Sequence, residues 1–116
     1  MSKLHIFDDT QALVEESNPA PDRIVSGSPV GEVVNVFESG DGKLFSGIWR
    51  STPGAWRVIY DETEYCHITQ GRARISCDDG TIKDVGVGDS FVIEGGFCGI
   101  WEVLEDMEKH YMIVMP

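Results

Sequence analysis

The chain is 116 residues long, 41% hydrophobic and 25% charged, which is the composition of one globular domain and not of a disordered segment. Nine basic residues against 20 acidic ones leave a formal charge of −11, which argues against nucleic acid and anionic membrane surfaces as partners, since both demand clustered Lys and Arg. Three widely spaced cysteines, Cys66, Cys77 and Cys98, form no CxxC pair, so reduced thiols in the cytoplasm are expected in place of a disulfide framework.

The first 18 residues read as a tail. Met1–Asp9 lacks the apolar run of a signal peptide, and no stretch approaches the roughly 20 apolar residues of a membrane span. A short helical turn is possible over Asp9–Glu16, with Asp9 or Thr10 as N-cap. Pro19 and Pro21 then force extended backbone, and Ser26-Gly27-Ser28-Pro29 reads as a loop, so the segment before residue 32 is an arm laid over the domain or reaching to a neighbouring subunit.

From Glu32 onward the pattern is strands. Val33–Phe37 is rich in β-branched and aromatic residues, Ser39–Gly42 is a turn, and Leu44–Arg50 is the next strand. Thr52-Pro53-Gly54 leads into Trp56–Tyr60, where Trp56, Val58 and Tyr60 share one face. Glu64–Gln70 follows, and Gly71 allows a sharp corner. Beyond it Ala73 and Ile75 alternate with Arg72, Arg74 and Ser76, which puts the arginines in solvent. Asp78-Asp79-Gly80 signals a hairpin of type I′. Thr81–Val85, Phe91–Ile93, Cys98–Leu104 and Lys109–Met115 are further strands, with Glu105–Glu108 as the last turn. About nine short strands and no long helix indicate an all-β double-sheet barrel or sandwich. Trp56–Gly71 and Gly88–Gly99, each strand–turn–strand with a glycine corner, are the hairpins that line the mouth of its cavity.

The glycine and acid spacing of these two hairpins resembles a cupin. The first cupin motif ends in Glu, six residues, then Gly, which Glu64 and Gly71 match; the second opens with Gly-Asp, as Gly88-Asp89 does, and Gly96 holds its inner glycine. Gly47-Ile48-Trp49, Trp56-Arg57-Val58, Glu64-Tyr65-Cys66, Trp101-Glu102-Val103-Leu104 and Lys109-His110-Tyr111 are similar to a family of small single-domain cupins, mostly of unassigned function, related to the cupin domains of ureidoglycine aminohydrolase. The resemblance covers residues 19–116. It implies a jelly-roll-like double-stranded β-helix barrel with an extended N-terminal arm, and, together with sheet edges that a partner can cover, a homodimer.

The departures from the motif bear on chemistry. Metal-dependent cupins carry a His-x-His pair before the Glu, at positions that fall near Val58 and Tyr60 here; the fourth ligand falls at Gly99, and the usual proline is Glu94. Glu64 alone does not make a transition-metal site, so neither a metal nor another cofactor is expected. By parity with Cys66 and Ile68, Glu64 points into the barrel, where a carboxylate needs a donor such as Tyr60, Trp101, Arg57 or Lys109. It is the candidate acid/base, with Tyr60 in support. Trp49, Trp56, Cys66, Phe97, Cys98 and Trp101 are candidate ligand contacts. Each is also a plausible core residue, and Cys66 and Cys98 lack the nearby positive charge that would activate a thiol. His67 has the parity opposite to Glu64, His110 has no ligand partner at metal spacing, and His5 is expected to be solvated. The expected function is binding of a small polar metabolite in the cavity without a metal; the alternative is a hydrolase or isomerase that uses Glu64 as acid/base.

Overall fold

The structure, a computed structural model, describes residues 3–8 and 13–116. It is all-β apart from one 3-10 turn at Pro21–Arg23. In chain order the strands are β1 (Val14–Glu16), β2 (Ile24–Gly27), β3 (Gly31–Glu38), β4 (Leu44–Ser51), β5 (Gly54–Ile59), β6 (Thr63–Cys77), β7 (Ile82–Gly86), β8 (Ser90–Ile93) and β9 (Cys98–Val114). Among the described residues no helix is long and apolar enough to cross a membrane.

Two long strands organise the barrel. β6 and β9 pair antiparallel from Thr63↔Val114 to Cys77↔Gly99, and both bend midway, where the register shifts between Ile68 and Ala73. The last part of β9 lies between β4 and the start of β6, while its first part lies between β5 and the end of β6. The sheet therefore folds into two walls that share these strands: β1-β3-β4-β9-β6-β8 and β2-β5-β9-β6-β7. Gly71 makes the bend possible. Its φ is +79°, and a Cβ there would collide with the Asp106 carbonyl oxygen.

Several elements differ from the sequence expectation. Glu105–Glu108 is not a turn: the chain runs on through one continuous β9, and Glu105 and Asp106 are exposed because they sit on the outside of the bend. The residues after Gly71 likewise extend β6 and do not begin a new strand. Val14–Glu16 is a strand and not a helical turn, because pairing with Glu32–Val34 satisfies its backbone better than an isolated turn can; the proposed caps Asp9 and Thr10 lie outside the described residues. Ile24–Gly27 is a strand paired to β5, so the expected loop is shorter. At Asp78-Asp79-Gly80 only Gly80 has a positive φ, whereas type I′ needs two such residues; the turn closes instead through Gly80 N–H to Cys77 O at 2.9 Å, with Asp79 accepting from the Thr81 amide.

Strand alternation sets the core. Cys66, Ile68, Ala73 and Ile75 of β6 meet Trp101, Val103 and Met107 of β9, with Trp56 and Ile93 closing the cluster. Arg72 and Arg74 point to solvent, as their parity requires, and pair there with Glu105 and Asp84.

Candidate functional site

Above this apolar floor the barrel opens into a cavity of about 760 Å³. Its lining draws on both walls: Asn35, Trp49, Lys109 and Tyr111 from one, Trp56, Val58 and Trp101 from the other, with Tyr60 and Glu64 flanking the turn between β5 and β6. Glu15, Arg23 and Glu62 reach its rim.

The polar centre is an ion pair that the fold removes from water. Glu64 and Lys109 are 4% and 5% exposed. Lys109 stands opposite Ile68 in the β6–β9 ladder, and its stem runs back along the wall past Cys66, placing Nζ 3.7 Å from the Cys66 sulfur and 3.0 Å from Glu64 Oε2. Trp49 and Trp101 cover the ammonium, with ring centroids 4.8 and 4.5 Å from Nζ. The other carboxylate oxygen, Oε1, accepts the Tyr60 hydroxyl at 2.8 Å, and that hydroxyl in turn accepts Trp101 Nε1–H at 3.2 Å. Both oxygens of Glu64 are thus held by charge-assisted or hydroxyl donors, as a buried carboxylate requires. Tyr111 donates to Asn35 Oδ1 at 2.9 Å on the side facing the mouth.

The protonation states follow from burial and from the charge on Glu64. Burial and the Glu64 carboxylate, whose hydrogen bond holds the phenol proton, push Tyr60 well above the usual phenol range. Burial pushes the Cys66 thiol up to about 12, and the Lys109 charge only partly opposes that. Burial, then Glu64 and Glu15, take Tyr111 to about 12. For Lys109 burial pulls downward, but the Glu64 carboxylate and the Cys66 sulfur together outweigh it, so the ammonium is held more firmly than in water. At neutral pH the centre holds an ammonium, a thiol and two phenols, each kept protonated.

A cupin-type metal does not fit this donor set. Val58 and Tyr60 stand where the histidine pair would, and Glu64 is already engaged by Lys109. Gly99 lies across the ladder from Val58, but a Cβ there would collide with the Ser76 carbonyl oxygen, so no ligand side chain can be placed without moving the strand. Among the described residues no three His, Cys, Asp or Glu side chains gather as a metal site.

The other sequence-selected residues divide. Trp49, Trp56 and Trp101 line the cavity, and Cys66 lies beneath it in the core. Phe97 is outside the lining; it meets Tyr60 edge-on at 5.9 Å and faces a second cleft between β7 and β8. Cys98 has the parity opposite to Trp101 and is also outside the lining. Arg57 pairs with Asp78 and not with Glu64. His67 bonds Ser90 on the outer face, His110 lies against Phe7 there, and His5 packs on Phe37 at 4.9 Å and is not simply solvated. Tyr111 and Asn35 were not among the sequence candidates for the site; Lys109 was, as one of four candidate donors to Glu64, and it is the one that pairs with the carboxylate, with Tyr60 on its other oxygen. A further signal for Lys109 is its shared parity with Trp101, Val103 and Met107, which a turn read at Glu105–Glu108 interrupts.

The family model for the EutQ-like cupin domain matches residues 38–111. Among solved structures, a DUF861-family protein of unknown function from Pseudomonas syringae pv. tomato is 26% identical, with a TM-score of 0.80, over 90% of this chain and 45% of that one. The chain therefore spans just under half of that protein. A DUF861-family protein from Thermotoga maritima is 31% identical with a TM-score of 0.54, over 55% of this chain and 73% of that one. The EutQ protein of Clostridium difficile, 18% identical with a TM-score of 0.66 over 84% of this chain and 73% of that one, shares the fold. No curated protein matches the sequence.

Proposed function

The chain belongs to the EutQ-like cupin domain family, and from that premise we propose that its cavity binds a small polar metabolite without a metal and without turning it over. One observation carries the reading: every titratable group at the polar centre for which a shift is resolved is shifted away from working pH. A general base near neutrality needs a proton affinity close to the ambient pH, and a nucleophilic thiol or amine needs a lowered one. Tyr60, Cys66 and Lys109 are all displaced in the direction that keeps their protons. Perturbed groups in a cleft mark a functional site, and here they make a fixed field of donors and one buried pair, suited to recognition.

Glu64 as acid/base in a hydrolase or isomerase is the weaker reading, because both of its oxygens are occupied. In place of a bound metal, the cavity has its own resident cation, the Lys109 ammonium. The walls of Trp49 and Trp56 and the open amide of Asn35 suit a flat or amine-bearing polar molecule. The resemblance of the sequence to ureidoglycine aminohydrolase cupins puts ureido compounds among the trial ligands, and ethanolamine joins them because one structure of the same fold, from Salmonella typhimurium, is described as a putative ethanolamine utilization protein Q (11% identical, TM-score 0.67, over 90% of this chain and 95% of that one). Cys66, Cys77 and Cys98 are all free, which supports a reducing compartment, the cytoplasm.

The test is a thermal-shift panel of ethanolamine, amino acids and ureido compounds, with each mixture followed by NMR for product. A ligand that raises Tm, leaves the mixture unchanged and loses its effect in Trp56→Ala supports binding. Product formation that disappears in Glu64→Gln would establish the enzyme instead, and stoichiometric transition metal in protein purified without chelator would overturn the metal-free reading.

A further inference from the structure

We propose that the cleft between β7 and β8 is a second binding site, for a monocarboxylate with an apolar tail. The cleft exists because the two walls part at this end. β7 pairs with β6 alone and so does β8, and the Gly86–Asp89 turn joins them at one end only. The opening is about 760 Å³, within the range of small-molecule sites. Its lining shares no residue with that of the barrel cavity. The partition between them is aromatic: Phe91 packs on Trp101 with ring centroids 6.1 Å apart, and Phe97 packs on Tyr60.

Strand parity makes the inside of this cleft apolar, with one cation. Val85 stands opposite Ala73 and Lys83 opposite Ile75 in the β6–β7 ladder, so both share the inward face of those buried residues. Phe91 and Ile93 stand opposite Cys66 and Glu64 in the β6–β8 ladder and face inward from the other wall. Val85, Phe91 and Phe97 are only half-buried, so the fold leaves apolar surface here for a ligand to cover. Among the described residues the Lys83 ammonium has no ion pair. The nearby acids are turned elsewhere. Asp84 has the outward parity and pairs with Arg74, Asp89 accepts the Gly86 amide at 2.8 Å, and Glu94 follows the inward Ile93 at the exposed rim.

These features select the occupant. An inward lysine on an edge strand deters pairing with a foreign strand, which favours a small molecule within the cleft over an added peptide strand. A carboxylate supplies the partner that Lys83 lacks, and an apolar tail covers Val85, Phe91 and Phe97. The net charge of −11 opposes any anion at long range. Salt screens that opposition beyond about 8 Å at physiological ionic strength, whereas Lys83 acts at contact. The head group therefore sets orientation and selectivity, and the tail supplies most of the affinity.

Octanoate is the probe, titrated at millimolar concentration into the full chain and followed by methyl and aromatic NMR. Resonances of Val85, Ile93, Phe91 and Phe97 are expected to move, while those of Asn35 and Tyr111 in the barrel cavity stay in place. Octanol, which has the tail without the charge, should bind about tenfold more weakly, and octylammonium more weakly still. Lys83→Gln should bring octanoate down to the affinity of octanol, about tenfold, without changing octanol itself, and Lys83→Arg should retain octanoate. Lys83 is exposed, so circular dichroism should show both variants folded. Absence of movement at the cleft residues, movement centred on the barrel cavity, octanol or octylammonium binding as tightly as octanoate, or a Lys83→Gln variant that binds octanoate like the wild type would each overturn the proposal.

Discussion

The two ends of the barrel interior are built from the same two strands and have opposite chemistry. Toward the bend, β6 and β9 contribute Ile68, Ala73, Ile75, Val103 and Met107, a dry cluster without a titratable group apart from its border at Cys66. Toward the mouth, the same inward parity gives Glu64, Lys109 and Tyr111, joined by Tyr60 from the β5–β6 turn. The dry end needs only volume and shape. The polar end is stable only because every donor and acceptor is answered, and among the described residues no buried side-chain polar atom lacks a partner. One end therefore contributes stability, and the other gives up part of that stability to hold an ion pair away from water.

Alkaline pH is the broadest way to break this contrast. Cys66, Tyr60, Tyr111 and Lys109 all hold their protons to higher pH folded than unfolded. The unfolded chain releases those protons first, so their contribution is complete below the unfolded values and is lost as pH rises through the folded ones. Cys66, moving from 9.0 to about 12, places the window at pH 9 to 12. Denaturant midpoints should fall steadily across it, and a Tyr60→Phe/Cys66→Ala double variant should show a shallower fall. A midpoint equal at pH 8 and pH 11 would sink the assignment.

Removing one member of the ion pair is the next largest perturbation. Lys109→Met leaves Glu64 buried with only Tyr60 as donor and is expected to cost about 3–5 kcal/mol. Adding Glu64→Gln should restore much of this, because the uncompensated charge is then gone. A double-mutant cycle by urea unfolding measures the coupling, and additive losses would show that the pair is not the organising contact. Tyr60→Phe is the smallest change. It removes one hydrogen bond to Glu64 and the acceptor for Trp101 Nε1–H, for about 1–2 kcal/mol. Its loss should add little in a Lys109→Met/Glu64→Gln background if the three groups act as one unit.

Much of the barrel was legible because strand parity and turn residues are local signals. Glu64 facing inward, Arg72 and Arg74 facing out, and Gly71 at a corner follow from alternation and from φ preference alone. The long bends were not legible. A strand that turns from one wall into the other exposes Glu105 and Asp106 at its elbow, and in sequence that exposure looks like a turn. The same misreading hid the parity that singles Lys109 out among the four candidate donors to Glu64, since its inward phase depends on β9 being unbroken. Phe97, a candidate ligand contact as an aromatic at the barrel mouth, lies outside the lining, and the ladder with Ile59 gives Cys98 the other face.

Gly99 bears on how such a cavity can change over time. Val58 and Tyr60 lie on the cavity side, and a histidine could be offered at either by altering one codon's product. Position 99 differs, because the space a side chain needs is held by the Ser76 carbonyl of the neighbouring strand. Recovering a ligand there requires two strands to shift against each other before the new residue has any benefit. A metal site in this cavity is thus more than single substitutions away, because one of its positions is held shut by backbone and not by a side chain.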